Sequence, residues 1–252
     1  MPDRQPLAGR IALVTGASGG IGGAVALRLA EAGADVALGY GTHRAEAEAV
    51  AGEVRDRGRR TVTLAADLAD PAAAEQLVAG TRAQLGEVDV LVANAGVGRR
   101  LAWDDPELDL DTWDRTLAVN LRAPWLLARA TLPGMVERGF GRVLFVSSIA
   151  ALTGGVVGPH YAASKAGLHG LLHHLASRVA GSGVTVNAIA PALIAGTRIL
   201  PVDPHDPDAM PLPIPVGRLG TTDEVADLSL ALLTNGYLTD KVVALDGGLH
   251  PS

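Results

Sequence analysis

The sequence predicts a doubly wound α/β fold, a single domain over residues 1–252 built on a seven-stranded parallel sheet. Three observations carry this. Seven short β-branched runs alternate with alanine-rich helical stretches. Most of these runs are continuously apolar, as strands become when helices cover both faces of a parallel sheet. A glycine-rich turn follows the first run and opens the first helix, the connection such sheets use. With 252 residues, 48% of them hydrophobic, the chain can bury the core that one domain of this kind needs.

Taken in order, the strand candidates are RIALVTG (10–16), ADVALGY (34–40), TVTLAAD (61–67), VDVLVANAG (88–96), GRVLFVSS (141–148), VTVNAIAP (184–191) and KVVALDGG (241–248). After the first, Gly16, Gly20 and Gly22 punctuate TGASGGIG. Absent side chains there let backbone approach a pyrophosphate, and the helix N-terminus favours its charge. The spacing is G-x-x-x-G-x-G rather than G-x-G-x-x-G. No carboxylate ends the second run: between Asp35 at its start and Glu46 on the next helix stand His43 and Arg44. A guanidinium at that place can meet a phosphate with two N–H groups, whereas a carboxylate would repel it. The one long irregular stretch is 197–220, whose six prolines exclude a central strand. It reads as a substrate lid spanning about 192–220.

Composition removes other classes. A net charge of -6 with scattered arginines offers no basic stripe, so neither nucleic acid nor a membrane surface is an expected partner. Without cysteine there is no disulfide or thiolate metal site, and the seven histidines lack metalloprotease spacing, so no metal is expected. His169, His173 and His174 read as a solvated or packed cluster. MPDRQPLAGR at the start has no apolar core of a signal peptide, and no uncharged apolar segment reaches about 18 residues. A cytoplasmic protein is the expectation.

Lysine occurs only twice against 19 arginines, yet HYAASK (160–165) keeps Lys165 four places after Tyr161. Positions i and i+4 share a helix face. A phenol of pKa near ~10 needs a neighbouring cation to exchange protons at neutral pH, and a compact ammonium supplies one where an arginine fork would be bulkier.

These features together resemble the short-chain dehydrogenase/reductase family, over essentially the whole chain. TGASGGIG matches its cofactor turn, NAG (94–96) its loop after the fourth strand, and VNAIAP (186–191) and LDGG (245–248) its last segments. Ala93 and Ala192 depart from the usual asparagine and glycine, and LLTNGYLTDK looks shortened. The resemblance implies a Rossmann-type fold and a catalytic tetrad of Asn120, Ser148, Tyr161 and Lys165. In it Tyr161 gives a proton to a carbonyl oxygen, Ser148 holds that oxygen, and Asn120 positions a water that relays protons from Lys165. Ser148 rather than Ser147 is implied by its distance from Tyr161. The cofactor set implied is Gly16, Ser18, Gly20, Ile21, Gly22, His43, Arg44, Asp67, Leu68, Asn94, Ala95, Gly96, Tyr161, Lys165, Pro191 and Ile194, with Asp67 on the adenine. NADP(H) is expected over NAD(H), although Gly19 stands where many NADPH-dependent relatives carry a basic residue. The implied activity is reduction of a free small-molecule ketone or 3-oxoacyl-type substrate by a homotetramer or dimer. Alternatives are an NAD-dependent alcohol, polyol or steroid dehydrogenase, and a non-catalytic dinucleotide-binding regulator.

Overall fold

The computed structural model describes residues 5–200 and 213–250. Seven parallel strands form one sheet: β1 Ile11–Thr15, β2 Asp35–Tyr40, β3 Thr61–Ala65, β4 Val90–Ala93, β5 Gly141–Val146, β6 Val184–Pro191 and β7 Lys241–Leu245, in the order β3-β2-β1-β4-β5-β6-β7. The chain runs outward from β1 to β3, then returns to β4 on the other side of β1. That reversal opens a crevice at the carboxyl ends of β1 and β4, where open α/β sheets bind ligands.

Alternate residues of each strand feed two cores, and both sets are apolar. Ala12, Val14, Val36, Leu38, Val90 and Val92 pack with α1 (Gly20–Glu31), α2 (Arg44–Asp56) and α8 (Thr222–Thr234). Leu13, Ala37, Leu91, Val143 and Phe145 pack on the other face with α3 (Ala73–Gln84), α5 (Ala123–Glu137) and α7 (Pro159–Val179). Each fully buried Leu, Val or Phe contributes about 1.5–3 kcal/mol. Two short helices, α4 (Leu110–Leu117) and α6 (Ala150–Thr153), complete the set among the described residues, and a π-helical turn, Ala118–Arg122, joins α4 to α5.

Several strands stop two or three residues before their apolar runs do. Gly16, Asp67, Asn94 to Gly96 and Ser147 to Ser148 all lie beyond the ladders, in the loops at the carboxyl edge. A carboxylate held at the opposite edge explains part of the second run. Asp35 binds Arg59 Nη2 at 2.9 Å and Arg60 Nε at 2.7 Å; burial raises its pKa, but the Arg60 bonds and both guanidinium charges outweigh that and leave it lowered.

The lid assigned to 192–220 falls partly on residues 201–212, which lie outside the described residues. Its flanks are ordered against each other: Ile194 bridges Gly220, and Ala195, Ile214 and Leu219 form a small buried cluster. Among the described residues, no helix is long and apolar enough to cross a membrane.

Candidate active site

The turn after β1 is built for close approach. A Cβ on Gly22 would lie 2.3 Å from Gly16 O and 2.5 Å from Asn94 Nδ2, so this glycine lets α1 pack onto the turn. Gly20, by contrast, faces space, with nothing nearer its Cβ position than Thr197 at 3.9 Å. Gly19 caps α1 without a side-chain hydrogen bond, and the first turn holds no acidic residue. The orphan N–H groups there remain available to an anion. Ser18 is buried and Ile21 half-buried on the same turn.

Asn94 ties the scaffold together at the crevice. Its Nδ2 donates to Thr15 O at 2.9 Å and Gly16 O at 3.2 Å, while the Asn94 and Ala95 N–H groups both donate to Thr15 Oγ1 at 3.1 Å. Thr15, which sequence reasoning passed over, thereby ties the loops after β1 and β4 together; its place beside Gly16 in the motif was the available signal.

Around the rim, His43 caps α2 and Arg44 begins it, both exposed one strand away from the glycine turn. Asp67 is exposed, but its carboxylate accepts from Ala69 N at 3.0 Å and pairs with Arg115 at 3.3 Å, an unanticipated partner. Leu68 beside it is buried.

The β5 end and α7 bring the chemistry together. Tyr161 and Lys165 share one face of α7 and are both buried, with Lys165 Nζ 5.7 Å from the phenol ring centroid. Lys165 Nζ donates to Val146 O at 2.8 Å. Burial pulls its pKa down to about 8, so it remains mostly a cation at pH 7. Burial pushes the Tyr161 phenol up, and a hydrogen bond with the Ser148 hydroxyl opposes that rise. A Cβ on Gly96 would stand 3.3 Å from Lys165 Nζ, and one on Gly98 would stand 2.9 Å from the Tyr161 ring, so the loop after β4 closes on both residues.

Asn120 lies fully buried in the π-helical turn. Its Oδ1 accepts from Val97 N, and its Nδ2 donates to Val97 O and to Ser164 Oγ, at 2.8, 2.8 and 3.0 Å. Ser164 in turn donates to Tyr161 O at 2.7 Å. Both amide hydrogens are therefore used, and the side chain fixes the loop after β4 against α7.

Pro191, the last residue of β6, and Ile194 beyond it are buried, and Leu193 between them adopts φ 51°, uncommon for a residue with a branched side chain. Gly220 N holds it by donating to Leu193 O at 3.2 Å. The following loop passes over the glycine turn, where Arg198 Nη2 donates to Ser18 O and Ser18 Oγ, both at 3.2 Å. His169 pairs with Ser147 and His173 with Asp240, at 2.9 and 2.6 Å.

Comparison with known proteins agrees with this arrangement. An L-rhamnose 1-dehydrogenase (NAD(P)(+)) of Sphingomonas sp. (strain SKA58) is 36% identical over 250 residues, 97% of each chain. The 3-oxoacyl-[acyl-carrier-protein] reductase of Escherichia coli (strain K12) is 34% identical, covering 96% of this chain and 98% of its own. The acetoacetyl-CoA reductase of Cupriavidus necator is 33% identical with the same coverage. Among solved structures, a blue fluorescent protein from a metagenomic library in complex with NADPH superposes with a TM-score of 0.88 at 36% identity, covering 98% of this chain and 100% of that one. The profile of the family described as "short chain dehydrogenase" matches residues 10–206. The chain therefore belongs to the short-chain dehydrogenase/reductase family, oxidoreductases that use NAD(P)(H) and act on CH–OH and C=O groups.

Proposed function

We propose that this enzyme reduces a free ketone or 3-oxoacyl-type substrate to the secondary alcohol, with NADPH preferred. The observation that carries the reading is the shared α7 face of Tyr161 and Lys165, with the Ser148 hydroxyl bonded to the phenol. The glycine turn, the uncapped start of α1 and the basic pair His43 and Arg44 suit a phosphorylated dinucleotide. Bound there, the nicotinamide supplies hydride to the carbonyl carbon, or accepts it in the reverse direction. Tyr161 donates its hydroxyl proton to the carbonyl oxygen, and Ser148 donates a hydrogen bond to the same oxygen. Lys165, a cation below about pH 8, favours the phenolate that results. Asn120 keeps the loop and α7 in register through Val97 and Ser164.

A free substrate is favoured over a carrier-bound one because an acidic carrier protein would meet basic residues just before β5 and at the end of α7, and Gly139 and Ser182 stand there, with Arg138 and Arg178 only nearby. Arg138 pairs with Glu87 at 3.5 Å and Asp89 at 3.4 Å, and donates to Val88 O. A homotetramer, or at least a dimer, is supported by an apolar depression between the helices, lined by Leu117, Ala118, Leu121, Trp125 and Leu171 among others. Oxidation of a sugar or other alcohol is the second reading, favoured by the rhamnose dehydrogenase relative. Assay of the purified protein against a panel of ketones, 3-oxoacyl thioesters and polyols with both cofactors decides between them. NADPH-dependent turnover of ketones supports the first reading, and turnover of polyols alone rejects it. Arg44→Ala should raise the KM for NADPH and leave that for NADH nearly unchanged.

A further inference from the structure

We infer that Arg198 is a phosphate-binding residue of the cofactor site, released from Ser18 to meet the diphosphate of the dinucleotide. The inference rests on the assignment of NAD(P)(H) as cofactor, and goes beyond it in naming a residue that lies outside the glycine motif and far from it in sequence.

Three observations converge on it. Arg198 comes from the loop after β6, yet one of its nitrogens donates to both Ser18 O and Ser18 Oγ at 3.2 Å, bringing a guanidinium onto the phosphate turn. Its neighbour Thr197 is the group nearest to the open side of Gly20, the first residue of α1, so this loop roofs the place where the backbone is bare. The turn supplies no basic side chain of its own, since Gly19 carries none. Among the described residues no carboxylate pairs with Arg198, whereas Arg28, Arg57, Arg59, Arg60 and Arg138 each have one.

The electrostatics then point one way. An exposed guanidinium and the positive end of an uncapped helix lie side by side at this turn. Two serine contacts use one nitrogen of a fork that carries five N–H donors and fits phosphate oxygens in pairs. A diphosphate seated on the first turn of α1 satisfies both positive groups at once. The 2′-phosphate belongs instead to the end of β2, where Arg44 begins α2.

Isothermal titration of NADPH and NADH into the wild type, Arg198→Ala and Arg198→Lys tests this without turnover, with thermal melts to confirm folding. Arg198→Ala should weaken both cofactors by one common factor, about 10-fold or more for a lost charged hydrogen bond, and Arg198→Lys should recover part of it. Unchanged affinity for both cofactors overturns the inference. Weakening confined to NADPH overturns the diphosphate assignment and gives Arg198 to the 2′-phosphate. Should the wild type bind neither, the cofactor assignment falls and the inference with it. Binding that depends on Arg198 without any ketone turnover leaves the inference standing and removes only the proposed reaction.

Discussion

Ser147 and Ser148, adjacent at the end of β5, point to different partners. Ser147 Oγ donates to Lys165 O at 3.1 Å and lies 2.9 Å from His169 Nε2, while the Ser148 hydroxyl bonds the Tyr161 phenol. One serine is mortar between β5 and α7; the other meets the Tyr161 phenol.

Substituting the pair separately should resolve these roles. Ser148→Ala removes a donor to the developing oxyanion and should lower kcat by about 10²–10³ with little change in cofactor affinity. Ser147→Ala leaves Lys165 O and a half-buried imidazole short of a partner, and should lower Tm with a smaller effect on kcat. Steady-state kinetics and melting curves of both variants check this, and equal kcat losses would contradict the division.

Tyr161→Phe keeps the ring against Gly98 and deletes only the hydroxyl. Ketone reduction should fall by at least about 10²–10⁴, the contribution of a positioned proton donor, while NADPH still binds by titration. Turnover near that of the wild type would remove Tyr161 from the mechanism.

Lys165 gives stability a definite pH dependence. Its folded pKa is lowered from 10.5 to about 8 by burial, so between those values the unfolded chain holds the additional proton. Stability therefore rises with pH from about 8 towards 10.5, and the cost of burying the charge is fully present below about 8. Comparing Tyr161→Phe with Tyr161→Phe/Lys165→Met by chemical denaturation across pH 7–10 isolates this term from the phenol. The gap between the two variants should change over that window and stay flat below it.

Glu224 behaves in the opposite sense. Arg218 and the Thr221 N–H lower its pKa from 4.5 to about 2, and it completes the capping box that starts α8. Its contribution is present above about pH 4.5 and is lost as pH falls towards about 2. Because the pair is partly exposed, the effect should be near 1 kcal/mol. Wild type should exceed Glu224→Gln in stability at pH 6, and the difference should shrink by pH 3.

Gly22→Ala places a methyl group 2.3 Å from Gly16 O. The turn or α1 must shift, at a cost of about 1–3 kcal/mol or more, and cofactor affinity should fall with it. An unchanged Tm and Kd would show that the close approach relaxes without consequence.

All seven strands were legible in sequence because period and β-branching record burial directly. Their carboxyl ends were not, since Asn94 to Gly96 and Ser147 to Ser148 continue the pattern while leaving the ladder for site contacts. Within the site, Tyr161, Lys165 and Ser148 stood out through motif spacing. Asp67's pairing with Arg115 and Arg198's reach to Ser18 join residues 48 and 180 positions apart, and local sequence carries no trace of such distances. The destination of Asn120's amide was equally invisible, because it depends on a π-helical turn that no composition rule announces.

That turn, Ala118–Arg122, also separates two requirements that a uniform helix would bind together. Each residue of an α-helix advances about 100°, and a π-turn accommodates one residue more than its α counterpart. Deleting one residue from it would restore a continuous α-helix with α4 and α5 at nearly their present azimuths, and would remove the bulge on which Asn120 sits. The surplus residue is thus absorbed locally: α5 keeps its packing on the core while Asn120 is presented to Val97 and Ser164. Chain length within this one turn is consequently under tighter constraint than the identity of most residues in it.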